Sequence, residues 1–283
     1  MKGHALPLLT FLVLSGAVQT ACQELPWPDS PLYVPPASAS DWKIPTSVDQ
    51  AKAALAGHYA HYDIVAYEAK VQTVVMRTFI ISYGFTDFVL ENRNLVEFDR
   101  FCHAEHRANQ NVVTTFDDAA TQAIKPRQVV VDVYQENQAW KIWRPATPTL
   151  LGIGGDPDEP LSMDTKDPKI KDDDGDGKPG VTVKLKINGS INAEIYIARR
   201  EVFQNDLTYY QDGRLQGHVV DHSEQLVIGG SPAMLAQPNN PLQAPDYGLS
   251  PVMLIPVSAD LNTCEELMAN RDGLFPQEPQ FGK

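Results

Sequence analysis

"VTVKLKINGSINAEIYI", residues 181–197, decides the fold. Val181, Val183, Leu185 and Ile187 alternate with Thr182, Lys184 and Lys186, the period of a strand with one face in a core and one in water. After Asn188-Gly189 the alternation resumes at Ile191, Ala193, Ile195 and Ile197. Asn-Gly supplies the two positive φ angles of a tight turn, so the spacing predicts a two-residue hairpin.

The surrounding chain carries the same signal. Residues 62–90 are dense in Val, Ile, Phe, Tyr and Thr, and residues 95–106 place Leu95, Glu97 and Asp99 in partial alternation. Strands are also expected over 127–135 and 139–145 around the turn Glu136-Asn137-Gln138, over 205–210 and 214–221 around Asp212-Gly213, and over 224–230. Helix signals are few. Ser47 with Gln50 and Thr263 with Glu266 have capping-box spacing, opening short helices expected to close at Gly57 and Gly273, and 117–124 reads as a further short helix. The expected class is all-β with a few short helices, an antiparallel meander closed into a barrel or stacked as a sandwich.

Length and composition admit this: 283 residues, 43% of them hydrophobic, can bury one large core or two modest ones. Lys and Arg number 23 against 36 Asp and Glu, and the net charge of −13 repels nucleic acid and anionic lipid while favouring divalent cations. Lys2 and His4 precede the apolar run 5–14, which is too short to span a bilayer and has the order of a secretory signal. Thr20-Ala21-Cys22 resembles the end of a bacterial lipoprotein signal, although Gln19 stands where an aliphatic residue is usual. That resemblance implies lipidation of Cys22. The chain then reads as a signal peptide over 1–21, a Pro/Ser/Ala-rich tether over 22–46, a β-rich half over 47–153, an acidic connector over 154–180 and a second β-rich half over 181–283. The expected location is a cell-envelope or outer-membrane lipoprotein, with a freely periplasmic or secreted protein as the alternative.

Of three cysteines, lipidation of Cys22 would leave Cys102 and Cys264, which an oxidising compartment would pair. The acidic connector ends in "KDDDGDGKPG", residues 171–180. Asp172, Asp174 and Asp176 recur every second residue, and Gly177 permits a sharp turn, so several oxygens can converge on one hard cation. The stretch resembles the DxDxDG calcium loops of EF-hands and of thrombospondin type 3 repeats. Counted from Asp172, that resemblance gives Lys178 a ligating backbone carbonyl. It fails at the twelfth position, where a bidentate Glu is replaced by Val183, and Pro168 and Pro179 oppose flanking helices. Asp164 and Asp167 are the nearest carboxylates able to complete the set, and calcium is the expected cofactor.

Other constellations carry less. His103 and His106, like His58 and His61, are three apart on expected strands and so face opposite sides, and His218 and His222 share no helix. Gly57 and the aromatics leading to Tyr67 resemble the start of a lipocalin-type barrel, which implies an interior cavity for an apolar ligand. The sequence therefore favours an exported calcium-binding β protein with a structural role or a small apolar ligand or protein partner. The membrane is reached only through the lipid. The alternative is a glycan-directed hydrolase working through paired carboxylates.

Overall fold

The computed structural model describes residues 26–28, 43–71, 74–110, 112–125, 128–238 and 240–282. Cys22 and the expected signal segment lie outside them.

Twelve strands form one sheet, almost wholly antiparallel. β1 (Gly57–Val71), β2 (Val74–Glu91) and β3 (Asn94–Ala108) are long neighbouring hairpin arms. β4 (Val112–Phe116), β5 (Val129–Glu136) and β6 (Ala139–Leu151) follow, and after the acidic connector come β7 (Val181–Ile187) and the 19-residue β8 (Ile191–Tyr209). β9 (Leu215–Asp221), β10 (Glu224–Ser231), β11 (Leu242–Gln243) and β12 (Pro251–Pro256) complete the set. The helices are α1 (Val48–Leu55), α2 (Asp118–Ala123) and α3 (Cys264–Leu274).

The pairings return to their start: β1 to β12, β9, β8, β6, β5, β3, β2 and back to β1. The arrangement is ring-like, short of a regular barrel. β8 is long enough to serve two tiers. Its second half, from Arg199, pairs with β6, and its first half, to Ile197, pairs with β7. β3 likewise pairs with β5 near its start and with β4 near its end. Regions 47–153 and 181–283 thus share a single sheet.

The lower tier is packed solid. Leu55 and Ala51 of α1 join Tyr59, Phe88, Leu95, Val131, Trp140, Ile142, Leu207 and Leu254 inside the ring. The outer face of β1 and β2 is covered as well, by Leu267 of α3, Phe275, Phe281 and Trp27, which meet Tyr62, Phe79, Ile81 and Tyr83. Burial on both faces explains why residues 62–90 read as a nearly continuous apolar run rather than as clean alternation.

Local expectations are corrected in three places. Asn188 and Gly189 both have positive φ, but Ile187 pairs with Ile191, so the hairpin loop has three residues and includes Ser190. The physical reason lies in the pattern: a two-residue loop would set Ile191 opposite Lys186 and send the two apolar rows to opposite faces. Instead Leu185 faces Ala193, and Val183 faces Ile195. At α1, Ser47 caps the Gln50 N–H, but the Gln50 side chain accepts from Thr46 instead of returning to Ser47. α3 has the full capping box at Thr263 and Glu266, and it runs through Gly273 to Leu274.

Candidate metal loop and interior cavity

The acidic connector is tied down rather than strung between the halves. Ile153 bridges Ile170, and Leu161 packs with Ile153, Ala198 and Leu226 on the outside of β8 and β10. Asp173 accepts the Gly152 N–H at 2.6 Å and pairs with Lys171 at 2.7 Å, holding the aspartate loop against the end of β6. Gly180 closes the loop with φ +82°. A Cβ there would lie 2.3 Å from the Ile197 carbonyl oxygen, so this close approach to β8 needs glycine.

Asp172, Asp174 and Asp176 converge, each offering a carboxylate oxygen within 4.8 Å of the others. Asp172 accepts from the N–H groups of Gly175 (2.6 Å), Asp176 (3.2 Å) and Gly177 (2.8 Å), led by the Gly177 bond in holding its carboxyl below the usual range. Thr182, at the start of β7, orients the other two: its N–H donates to Asp174 at 2.7 Å and its hydroxyl to Asp176 at 2.7 Å. Desolvation, then the crowding of Asp172 and Asp176, raises the Asp174 carboxyl. Its Oδ1 is buried without a hydrogen-bond partner. An oxygen without a hydrogen-bond partner inside a carboxylate cluster is free to ligate a cation. The Lys178 ammonium stands 3.6 Å from Asp176 and 2.5 Å from Glu194. Asp164 and Asp167 accept from the N–H groups of Lys166 and Lys169, closing turns of their own.

Thr182 and Asp173 escape a reading confined to the DxDxDG pattern. Neither belongs to it, although one follows the loop by two residues and the other lies within it.

Above the packed tier the sheet encloses a cavity of about 660 Å³. Val183, Leu185 and Ile187 of β7 line it, with Ile195 and Ile197 of β8, Thr78 and Ile80 of β2, Phe116 of β4 and the exposed Met234. The alternating face that announces the hairpin therefore packs with Ala120 and Leu151 and also lines a cavity. Tyr67, His106, Arg199, Glu201 and Gln225 bring polar groups to the same wall. His106 and His103 do face opposite sides, since His103 meets Asp118 at 2.6 Å on the outside.

Beneath the cavity, and sharing Phe101, Glu201 and Phe203 with it, lies a pocket of only about 20 Å³. His61 bonds Asp63 and Thr86, each at 2.8 Å, and Thr86 donates to Asp99 at 2.7 Å. Arg144 places Nε 2.5 Å from Glu97 and Nη2 3.2 Å from Asp99. Burial, then the Asp99 charge, pushes the Glu97 carboxyl far up, while Arg144 and His61 draw Asp99 down against its own burial. Of the two carboxyls, Glu97 therefore holds a proton more readily than Asp99. No sequence motif marks these residues, because they come from four different strands.

Among the described residues no helix is long and apolar enough to cross a membrane. No family model, curated protein or solved structure matches the chain.

Proposed function

We propose that this is an exported calcium-binding β protein that holds a small apolar ligand in its interior cavity. One observation carries the reading: β7 belongs to both sites. Thr182 fixes two of the three converging aspartates, and the next inward residues, Val183, Leu185 and Ile187, line the cavity. A cation would be held by Asp172, Asp174 and Asp176 together with the Lys178 carbonyl, with Asp164 or Asp167 as candidates to complete the set. Oxygen ligands and a flexible glycine-rich loop suit calcium, and its charge would order the strand that forms one cavity wall. The cavity volume falls in the range of small-molecule sites, roughly 300–1,000 Å³, and its lining is mostly apolar, as such sites require.

A glycan hydrolase needs two carboxylates facing a cleft that admits a sugar. The buried carboxylates here line a pocket with room for about one water, so ligand binding is the better-supported reading.

An environment-sensitive apolar fluorophore, titrated with calcium and with a chelator, tests the proposal. Fluorescence should rise on binding with about one fluorophore per chain, and calorimetry should show one calcium site with Kd on the order of 10⁻⁴ to 10⁻³ M. No heat with millimolar calcium would remove the cation from the reading, and no fluorophore binding would remove the ligand.

A further inference from the structure

The polar groups on the cavity wall are not scattered. Arg199, on β8, is 7% exposed and donates from Nη1 to Gln225 at 3.2 Å and from Nη2 to the Tyr67 hydroxyl at 3.3 Å. Its Nε is buried without a hydrogen-bond partner, and the Glu201 carboxylate is ion-paired with it at 3.4 Å. A guanidinium fixed at two corners cannot turn to satisfy the third. His106, stacked on Phe116, faces the same cavity from β3. Burial, then Arg199 and Arg107, holds its imidazole down to about 4, so at neutral pH it is uncharged in a positive local field. The rest of the lining is mostly apolar, with Thr78, Ser82, Thr114, Thr121 and Gln237 its other polar members. Met234, Leu235, Gln237, Pro238 and Pro241 line the cavity's far end, where Met234 is 75% exposed, so the polar wall lies deep and this end lies towards solvent.

Resting on the ligand reading above, we propose that the ligand is a single-chain amphiphile with a carboxyl head, the head accepting a hydrogen bond at Arg199 and His106 and the chain running towards Met234. A carboxyl suits the site in both protonation states, because it keeps an acceptor oxygen either way. Burial raises the Glu201 carboxyl against the pull of Arg199. An alkane leaves the Arg199 donor orphaned. An alcohol offers one weaker acceptor.

Displacement of a bound apolar fluorophore by a chain-matched alkane, alcohol and carboxylic acid tests the head group. In the wild-type protein the acid should displace at least tenfold more strongly than the alcohol. Arg199→Met strips Glu201 of its partner, so it is measured together with Arg199→Met/Glu201→Gln and with His106→Leu, which leaves that pair intact. Each folded variant should keep fluorophore binding and lose most of the acid preference. Equal displacement by acid and alcohol, with fluorophore bound, overturns the head-group assignment while the cavity reading stands. Unchanged acid preference in His106→Leu and in the double variant also overturns it. Failure of the wild type to bind the fluorophore overturns both readings.

Discussion

Cys102 and Cys264 are 162 residues apart in the chain, yet their Cα atoms lie 5.2 Å apart and a disulfide joins them. The bond pins the first residue of α3 to the middle of β3, on the outer face. Arg271, two turns along α3, donates to Glu105 of β3 at 2.8 Å, and Arg107 of β3 pairs with both Glu105 and Glu278. The Tyr83 hydroxyl donates to Glu278 at 2.5 Å. One covalent and several ionic links therefore hold the C-terminal segment over the apolar outer face of β1 and β2.

Closing so long a loop restricts the unfolded chain, so Cys264→Ser should lower stability by about 2–4 kcal/mol. The ionic links keep α3 docked in the variant, so circular dichroism should stay near that of the wild type at room temperature. Denaturant unfolding with and without reductant checks both points: a reductant that shifts the wild-type midpoint should leave the variant's unmoved.

Stability should fall at acid pH in two separable steps. The His106 imidazole is held down to about 4, so between about 6.5 and 4 the unfolded chain binds more protons, and stability is lost as pH falls through that window. Glu105 is held down to about 2, led by its bond from His103, with Arg107 and Arg271 adding to it. Its contribution is present above about 4.5 and is lost as pH falls towards 2. His106→Leu should flatten the first step and leave the second. His61 works in the opposite sense: burial lowers its affinity for a proton, but Asp63 and Asp99 outweigh burial and raise it. Its stabilisation is present below the unfolded value and fades as pH rises through the folded one, so His61→Gln should reduce the loss of stability on the alkaline side. Melting curves from pH 3 to 9 measure all three effects.

Much of this architecture is written locally. The alternation in 181–197 gives the strands and the inward face, and the same rows at Ile187 and Ile191 fix a three-residue loop once their faces are required to match. The aspartate spacing gives the converging carboxylates. What is not local is absent from any short pattern. Arg199 and His106 reach one cavity wall from strands 93 positions apart in the chain, and Arg144 meets Glu97 and Asp99 only because β5 stands between their strands and the ring closes around them. Nor does alternation distinguish a face that packs from a face that lines a void, because both are apolar on one side.

The Arg144 cluster should tolerate little change. Arg144→Met leaves Asp99 buried beside Asp63 with only His61 to offset its charge, and breaking a buried pair by removing one partner costs about 3–5 kcal/mol. Adding Asp99→Asn to Arg144→Met should recover part of that loss, since it removes that charge. Thermal unfolding of the single and double variants checks the order of stability, wild type first and Arg144→Met last.

At the metal loop the side chain of Lys178 competes with the ion, while its carbonyl is assigned to the ion's support. Lys178→Met keeps the carbonyl and removes an ammonium 3.6 Å from Asp176, so calcium affinity should rise about threefold to tenfold. Asp174→Ala should abolish binding while changing the calcium-free melting temperature little, because it also relieves repulsion from Asp172 and Asp176. At ten times its Kd, calcium should add about 1.4 kcal/mol of stability that a chelator reverses. Calorimetry in which Lys178→Met binds no more tightly than the wild type would count against the three aspartates as the site.

Within the segment expected as a tether, Trp27 is docked on the sheet. Trp27 donates to Glu68 at 3.1 Å and packs edge-on to Phe79 and against Phe281, and Glu68 pairs with Leu242, next to Pro241 at the open end of the cavity. Cys22 precedes Trp27 by five positions, a span of at most about 18 Å when fully extended. If Cys22 is lipidated, as proposed from the signal, the anchor would hold the open end of the cavity close to the membrane surface, where an amphiphile could pass between bilayer and protein. Cys22→Ala should then release the exported protein from the membrane fraction and slow uptake of a carboxylic amphiphile from vesicles, while leaving its equilibrium affinity unchanged. Trp27→Ala, which removes the docking of Trp27 on Glu68 and Phe79 and leaves Cys22 in place, should slow transfer while the protein stays in the membrane fraction. Intact mass of the mature chain decides the premise: a first residue of Cys22 with a lipid increment supports it, and an exported chain without a lipid increment removes it.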